Sequence, residues 1–124
     1  MIINQLLYFQ YCQSHQGYLL EIVSEEEQQF IDIFMATDTG TGSYWLNLSD
    51  MGHEGTWVWQ NSFVEPSYTN WYLENPHNDI ERNCAQIKHY DMDEGGHNWY
   101  DISCEVDKDP DVGWGVHAIC ETKI

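Results

Sequence analysis

Three observations predict an α+β domain. Apolar residues recur at helical spacing before residue 38, short runs of strand-like alternation follow from residue 43, and an even number of cysteines is spread from Cys12 to Cys120. The expected architecture is two helices followed by short antiparallel strands around one long loop.

The first helix is expected from Asn4 to about His15, where Leu7, Tyr8, Tyr11 and Cys12 recur at helical spacing and Gln16-Gly17 reads as the C-cap. Tyr18 to Val23 is a short extended stretch. Ser24-Glu25-Glu26-Glu27 has the form of a capping box, with Ser24 as the cap and Glu27 three residues on. Phe30, Ile31 and Phe34 then carry a second helix to about Thr37. Asp38 to Gly42 is a turn cluster, after which Ser43–Ser49 alternates as a strand does. Asp50–Gly55 is a turn and Thr56–Gln60 a second strand. Asn61 to Asn83 holds Pro66, Pro76 and many Asn and Asp residues, which predicts a long irregular loop of the kind that carries function. Strands are expected at Cys84–Lys88, Trp99–Cys104 and His117–Glu121. No repeat, linker or low-complexity tract divides residues 1–124, so the chain reads as a single domain.

Composition narrows the function. At 124 residues the chain has the length of one domain, and 42% hydrophobic with 20% charged residues fits neither disorder nor a membrane span. No apolar run reaches the ~18 residues a spanning helix needs, so no membrane insertion is expected. Lys and Arg number 4 against 21 Asp and Glu, a formal charge of −17. A polyanion releases no counterions from another polyanion, which argues against a nucleic-acid partner. Carboxylates in this number attract cations, calcium above all. They cluster late, at Asp91, Asp93, Glu94, Asp101, Glu105, Asp107, Asp109 and Asp111, with Lys108 the lone base. Such a run reads first as a solvated loop and second as a docking face for a basic partner.

Cys12, Cys84, Cys104 and Cys120 contain no C-x-x-C pair, which disfavours a zinc knuckle or a thioredoxin-like site. Two bridges in an oxidising compartment fit better and point to a secreted or extracellular protein; spacing alone leaves all three pairings open. Met1 to Tyr8 lacks the marks of a signal peptide, so a leader has been removed or the start is incomplete. There is no G-x-S-x-G, no H-E-x-x-H, no phosphate-cradling glycine loop and no free-cysteine nucleophile pattern, so the chain reads as non-catalytic.

The order Tyr11-Cys12-Gln13-Ser14, Trp45-Leu46-Asn47-Leu48, Glu54-Gly55-Thr56-Trp57-Val58-Trp59, Tyr68-Thr69-Asn70-Trp71, Asn83-Cys84-Ala85, Trp99-Tyr100-Asp101-Ile102-Ser103-Cys104 and Ile119-Cys120-Glu121 resembles a C-type lectin-like domain from about Leu7 to Glu121. The resemblance implies the bridges Cys12–Cys120 and Cys84–Cys104, a core built on Trp45, Trp57, Trp59 and Trp99, and a long loop footed at Asn70-Trp71. It also implies that the family's first strand is missing or cut short. Tyr72 and Trp114 lie outside the motifs and are the better surface candidates.

In sugar-binding members of that family, a calcium ion in the long loop takes sugar hydroxyls into its shell, and the proline of the loop motif follows a cis bond. Carried over residue by residue, the motif becomes Asn75-Pro76-His77, Arg82 stands where a carboxylate is expected, and an Asn-Asp pair becomes Tyr100-Asp101. Asn75 and Asp101 therefore remain as loop calcium ligands in a degraded motif. Hard oxygen donors suit calcium, and an imidazole or a guanidinium does not. The resemblance implies a glycan ligand held by Asn75, His77, Asn78, Glu81 and Asp101, with Tyr72 or Tyr100 stacking, weak for a single sugar and strengthened by multivalency. A second, structural calcium is implied at the Glu21 carbonyl and the Glu27 and Glu121 carboxylates. The alternative is a calcium-independent domain with a protein ligand.

Overall fold

The computed structural model describes residues 4–37, 42–89, 97–105 and 116–122. Trp114, Lys108 and most of the late acidic run lie outside them. Two helices lead the chain, α1 over Asn4–Ser14 and α2 over Glu25–Thr37, with the short strand β1, Gly17–Leu19, between them. The strands β2 (Gly42–Ser49), β3 (Val58–Trp59), β4 (Cys84–His89), β5 (Trp99–Ile102), β6 (Val116–His117) and β7 (Cys120–Thr122) follow.

The α1–β1 junction has two separate requirements. Gln16 carries the positive φ of 63° that closes the helix, not the neighbouring glycine. Gly17 is needed for another reason: a Cβ there would collide with the Glu121 carbonyl across the β1–β7 pair. At the start of α2, Ser24 Oγ accepts the Glu27 N–H at 3.1 Å, as the capping sequence predicts.

The helices bury faces other than their most apolar ones. On α1, Leu7 and Tyr11 are exposed while Gln5 and Cys12 are buried; on α2, Gln28, Ile31 and Met35 face inward while Phe30 is 67% exposed. The Gln5 amide donates to the Leu46 carbonyl at 3.0 Å, so a polar side chain earns its burial by closing a backbone acceptor.

The main sheet runs β3-β2-β4-β5, antiparallel throughout, and β6 adds to β2 in parallel. The final strand expected at His117–Glu121 is thus two strands. β6 joins the main sheet, whereas β7 pairs with β1 in a separate two-stranded ribbon. The expected antiparallel pairing holds for the other strands, and β6 alone among the named strands pairs in parallel. Trp45, Trp57, Trp59 and Trp99 are all buried, Trp99 meeting Trp59, Tyr68 and Trp71 edge-on at centroid distances of 5.6–5.9 Å. The bridges are Cys12–Cys120 and Cys84–Cys104. The first ties α1 to β7; the second holds the start of β4 to the chain just beyond β5.

Candidate functional site

The long loop from Asn61 to Asn83 returns to the sheet beside β5. Trp71 bridges to Trp99, and the Trp99 N–H donates to the Asn70 carbonyl at 2.9 Å while Trp99 accepts the Tyr72 N–H at 2.9 Å. These bonds set the outer half of the loop over the β4–β5 edge. Between them lies a cleft of about 410 Å³.

Asp101 organises this cleft. Its side chain is fully buried on β5, and a carboxylate in that setting needs donors. The His77 backbone N–H reaches Oδ2 at 2.6 Å and the His77 Nδ1 reaches Oδ1 at 2.7 Å. The Asp101 N–H in turn donates to Asn75 Oδ1 at 3.1 Å, across the cis Asn75–Pro76 bond. Arg82 Nη1 lies 4.0 Å from Asp101 Oδ1, with about half of its side chain exposed. Asn75, His77, Glu81 and Asp101 all line the cleft. Asn78 does not; it is exposed, with Oδ1 beside Gly55.

An aromatic wall closes the other side. Tyr72 stacks on Tyr100 with centroids 5.0 Å apart at 27°, and Lys88 Nζ lies 4.2 Å from the Tyr100 ring centre. Gln86 pairs directly with Tyr100 in the β4–β5 register, and both Gln86 and Lys88 are buried on the cleft. Gln86 and Lys88 were not expected as site residues. Their signal was the period-2 pattern of Cys84-Ala85-Gln86-Ile87-Lys88, which sets these two polar side chains on one face.

The Glu21, Glu27 and Glu121 set is brought within electrostatic range. The Glu21 carboxylate accepts from Asn47 Nδ2 and the Asn61 N–H, both at 2.8 Å, so its side chain is already engaged. Burial raises Glu21 above the usual carboxylate range against these bonds. Burial and the charges of Glu27 and Glu21 push Glu121 up to about 7, although the Tyr18 hydroxyl and the Glu21 N–H donate to it. Tyr18, desolvated and facing Glu121, is pushed up to about 12.

A further acidic group, Asp50, Glu54 and Asp79, lies in the turn at Asp50–Gly55 and in the long loop. Asp50 is buried; Oδ2 accepts the Gly55 N–H at 2.9 Å, and Oδ1 has no hydrogen-bond partner among the described residues. Desolvation, the hydrogen bond and charge of Asp50, and the charge of Asp79 raise Glu54 above the ordinary range. The spacing Asp50-x-x-x-Glu54 around Gly52 and Gly55 was its visible signal. Among the described residues, no three His, Cys, Asp or Glu side chains converge closely enough to hold a metal ion, and no helix is long and apolar enough to cross a membrane.

Comparison with known proteins agrees with this geometry. Residues 8–110 match the family model of the lectin C-type domain. A perlucin-like protein from Mytilus galloprovincialis is 31% identical over 98 residues, covering 78% of this chain and 60% of its own length. The CD209 antigen-like protein D of Mus musculus is 34% identical over 96 residues, 76% of this chain and 36% of that protein. The chain therefore spans less than two thirds of the curated relatives it matches. Among solved structures, the carbohydrate-recognition domain of the mouse scavenger receptor C-type lectin superposes with a TM-score of 0.71 at 26% identity, over 99% of this chain and 83% of that one. With the fold, both disulfides and the motif order in agreement, this chain belongs to the C-type lectin domain family.

Proposed function

We propose that this domain is a non-catalytic extracellular module that recognises carbohydrate in the Tyr72–Asp101 cleft by direct hydrogen bonding and stacking, with no calcium ion between protein and sugar. The observation that carries this reading is the His77–Asp101 pair. Asp101 is the carboxylate that the loop motif retains, and both of its oxygens are taken up by His77. Calcium wants 6–8 oxygens at about 2.3–2.6 Å, and this donor set offers an imidazole and the Arg82 guanidinium instead. The ion does not suit these residues. Hydroxyls of a sugar would meet Asn75, His77 and Glu81 directly, with Tyr72 as the exposed aromatic face. Support for a sugar ligand comes from the family and from the carbohydrate-recognition domain that the chain resembles. The two disulfides support a location outside the reducing cytosol.

A structural calcium belongs to the same proposal, at the Glu21 carbonyl and the Glu27 and Glu121 carboxylates. The support is electrostatic: beyond burial, the charges of Glu27 and Glu21 help raise Glu121 and that of Glu27 helps raise Glu21, and a cation would relieve them.

A glycan array run in calcium and then in chelator tests the reading of the cleft. Equal binding in both buffers is expected. Binding lost in chelator overturns the direct mode, and no binding in either buffer gives first place to a protein ligand.

A further inference from the structure

We infer that the cleft selects an anionic sugar, one carrying a carboxylate or a sulfate, with the Arg82 guanidinium as its oxyanion receptor; this rests on the cleft being the glycan site. The chain has four Lys and Arg residues against 21 acids, and two of the four, Arg82 and Lys88, line this one cleft.

Among the described residues, no hydrogen bond occupies the Arg82 guanidinium. Asp101 Oδ1 is an acceptor, so the His77 Nδ1 at 2.7 Å from it carries the proton. Arg82 Nη1 approaches that same Nδ1 at 3.4 Å, but two donors make no hydrogen bond. Its other contact, to Asp101 Oδ1, is long at 4.0 Å, and that oxygen is already served by His77. The guanidinium therefore sits half exposed on the cleft with its planar fork unspent, the geometry that receives a carboxylate or sulfate in two parallel bonds. Lys88 lies buried on the floor, held over the Tyr100 ring. Tyr72, the exposed member of the Tyr72–Tyr100 stack, offers the ring face for the pyranose. Carboxylates beyond about 8 Å are screened at physiological salt, and the near one, Asp101, is buried behind His77, so the half-exposed guanidinium is the charge that a ligand meets. Glu81, an exposed acid on the rim, works against them.

Calorimetric titration of the whole chain in chelator tests this, comparing 3′-sialyllactose and galactose 6-sulfate with lactose and galactose. The expected result is at least about tenfold tighter binding of the anionic sugars, weakening as salt rises. Arg82→Gln should bring them down to the neutral level, and Glu81→Gln should tighten them several-fold. Thermal melts confirm that both surface variants fold. Equal affinity for neutral and anionic sugars overturns the charge selection while leaving the glycan site standing. Anionic binding unchanged in Arg82→Gln overturns the receptor assignment. No binding of any of the four sugars removes the glycan reading and this inference with it.

Discussion

His77 closes both oxygens of Asp101 at once, with its backbone N–H at 2.6 Å from Oδ2 and its ring Nδ1 at 2.7 Å from Oδ1. One residue thereby pins the outer loop to β5. His77→Ala keeps the backbone bond but leaves one oxygen of a fully buried carboxylate without its donor. The expected loss is on the order of 1–3 kcal/mol in urea denaturation. Unchanged stability would mean that the loop is anchored elsewhere.

Stability should fall as pH rises through the window set by Glu121. Its carboxyl is raised to about 7 from an ordinary 4.5, by burial first and then by the charges of Glu27 and Glu21. Between those values the folded chain holds a proton that the unfolded chain has released. Stability is therefore fullest below about pH 4.5 for this group and is lost towards pH 7. Glu121→Gln should flatten that decline by on the order of 2 kcal/mol, after discounting for solvent screening. A decline of the same size in the variant would place its cause in other acids.

Calcium competes with that same proton, because a ligating carboxylate must be ionised. Millimolar calcium is expected to raise the melting temperature, and to raise it more at about pH 8 than at about pH 6. At a hundredfold excess over Kd the gain is about 2.7 kcal/mol. Glu27→Ala should abolish most of the rise while Asp101→Ala leaves it intact. Loss of the rise in Asp50→Asn instead would move the ion to the Asp50–Glu54–Asp79 group.

Gln28 ties α2 to β5. Its Oε1 accepts the buried Trp99 Nε1–H at 2.9 Å, and its Nε2 donates to Asp32 Oδ1 at 2.9 Å and to the His97 carbonyl at 3.1 Å. Gln28→Ala leaves the indole N–H buried without an acceptor, at an expected cost of about 1–3 kcal/mol. Gln28→Glu keeps an acceptor for Trp99 but leaves the His97 carbonyl to Asn70 alone and sets a second carboxylate against Asp32, so it should also destabilise. Chemical denaturation followed by Trp fluorescence reads both, and wild-type stability in Gln28→Ala would show that the network carries no net energy.

The two bridges should contribute unequally. Cys12–Cys120 joins residues 108 apart and Cys84–Cys104 residues 20 apart. On loop-closure entropy alone the first is worth about 4–5 kcal/mol and the second about 3. Paired Cys→Ser variants should therefore lose more stability at Cys12/Cys120. Non-reducing peptide mapping should recover these two links; any other pairing contradicts the fold.

Much of the fold was legible because it depends on short-range rules. The Ser24 cap, the alternation of Ser43–Ser49 and the irregular, proline-marked loop are local, and each lies where its residues place it. Family motif order supplied the cysteine pairing, which spacing alone left open. The buried helix faces were legible only at Cys12 and Ile31. Phe30 and Phe34 looked like the core of α2, yet Gln28, Ile31 and Met35 face inward, because Gln28 satisfies the indole of Trp99. A hydrogen bond between residues 71 apart leaves no mark on hydrophobic periodicity.

The site divides in the same way. Sequence by itself determined that imidazole and guanidinium, poor company for calcium, stand at His77 and Arg82, and the family resemblance read from it implies that these two with Asn75 and Asp101 occupy the positions of a calcium-sugar motif. Only the tertiary structure decided that His77 takes over both oxygens of Asp101 and that Lys88 lies beneath Tyr100. It likewise decided that the last strand divides between two sheets. The physical reason is distance along the chain. Residue type fixes what a side chain can donate or accept, but which partner comes within 3 Å depends on the return of a loop 24 residues away.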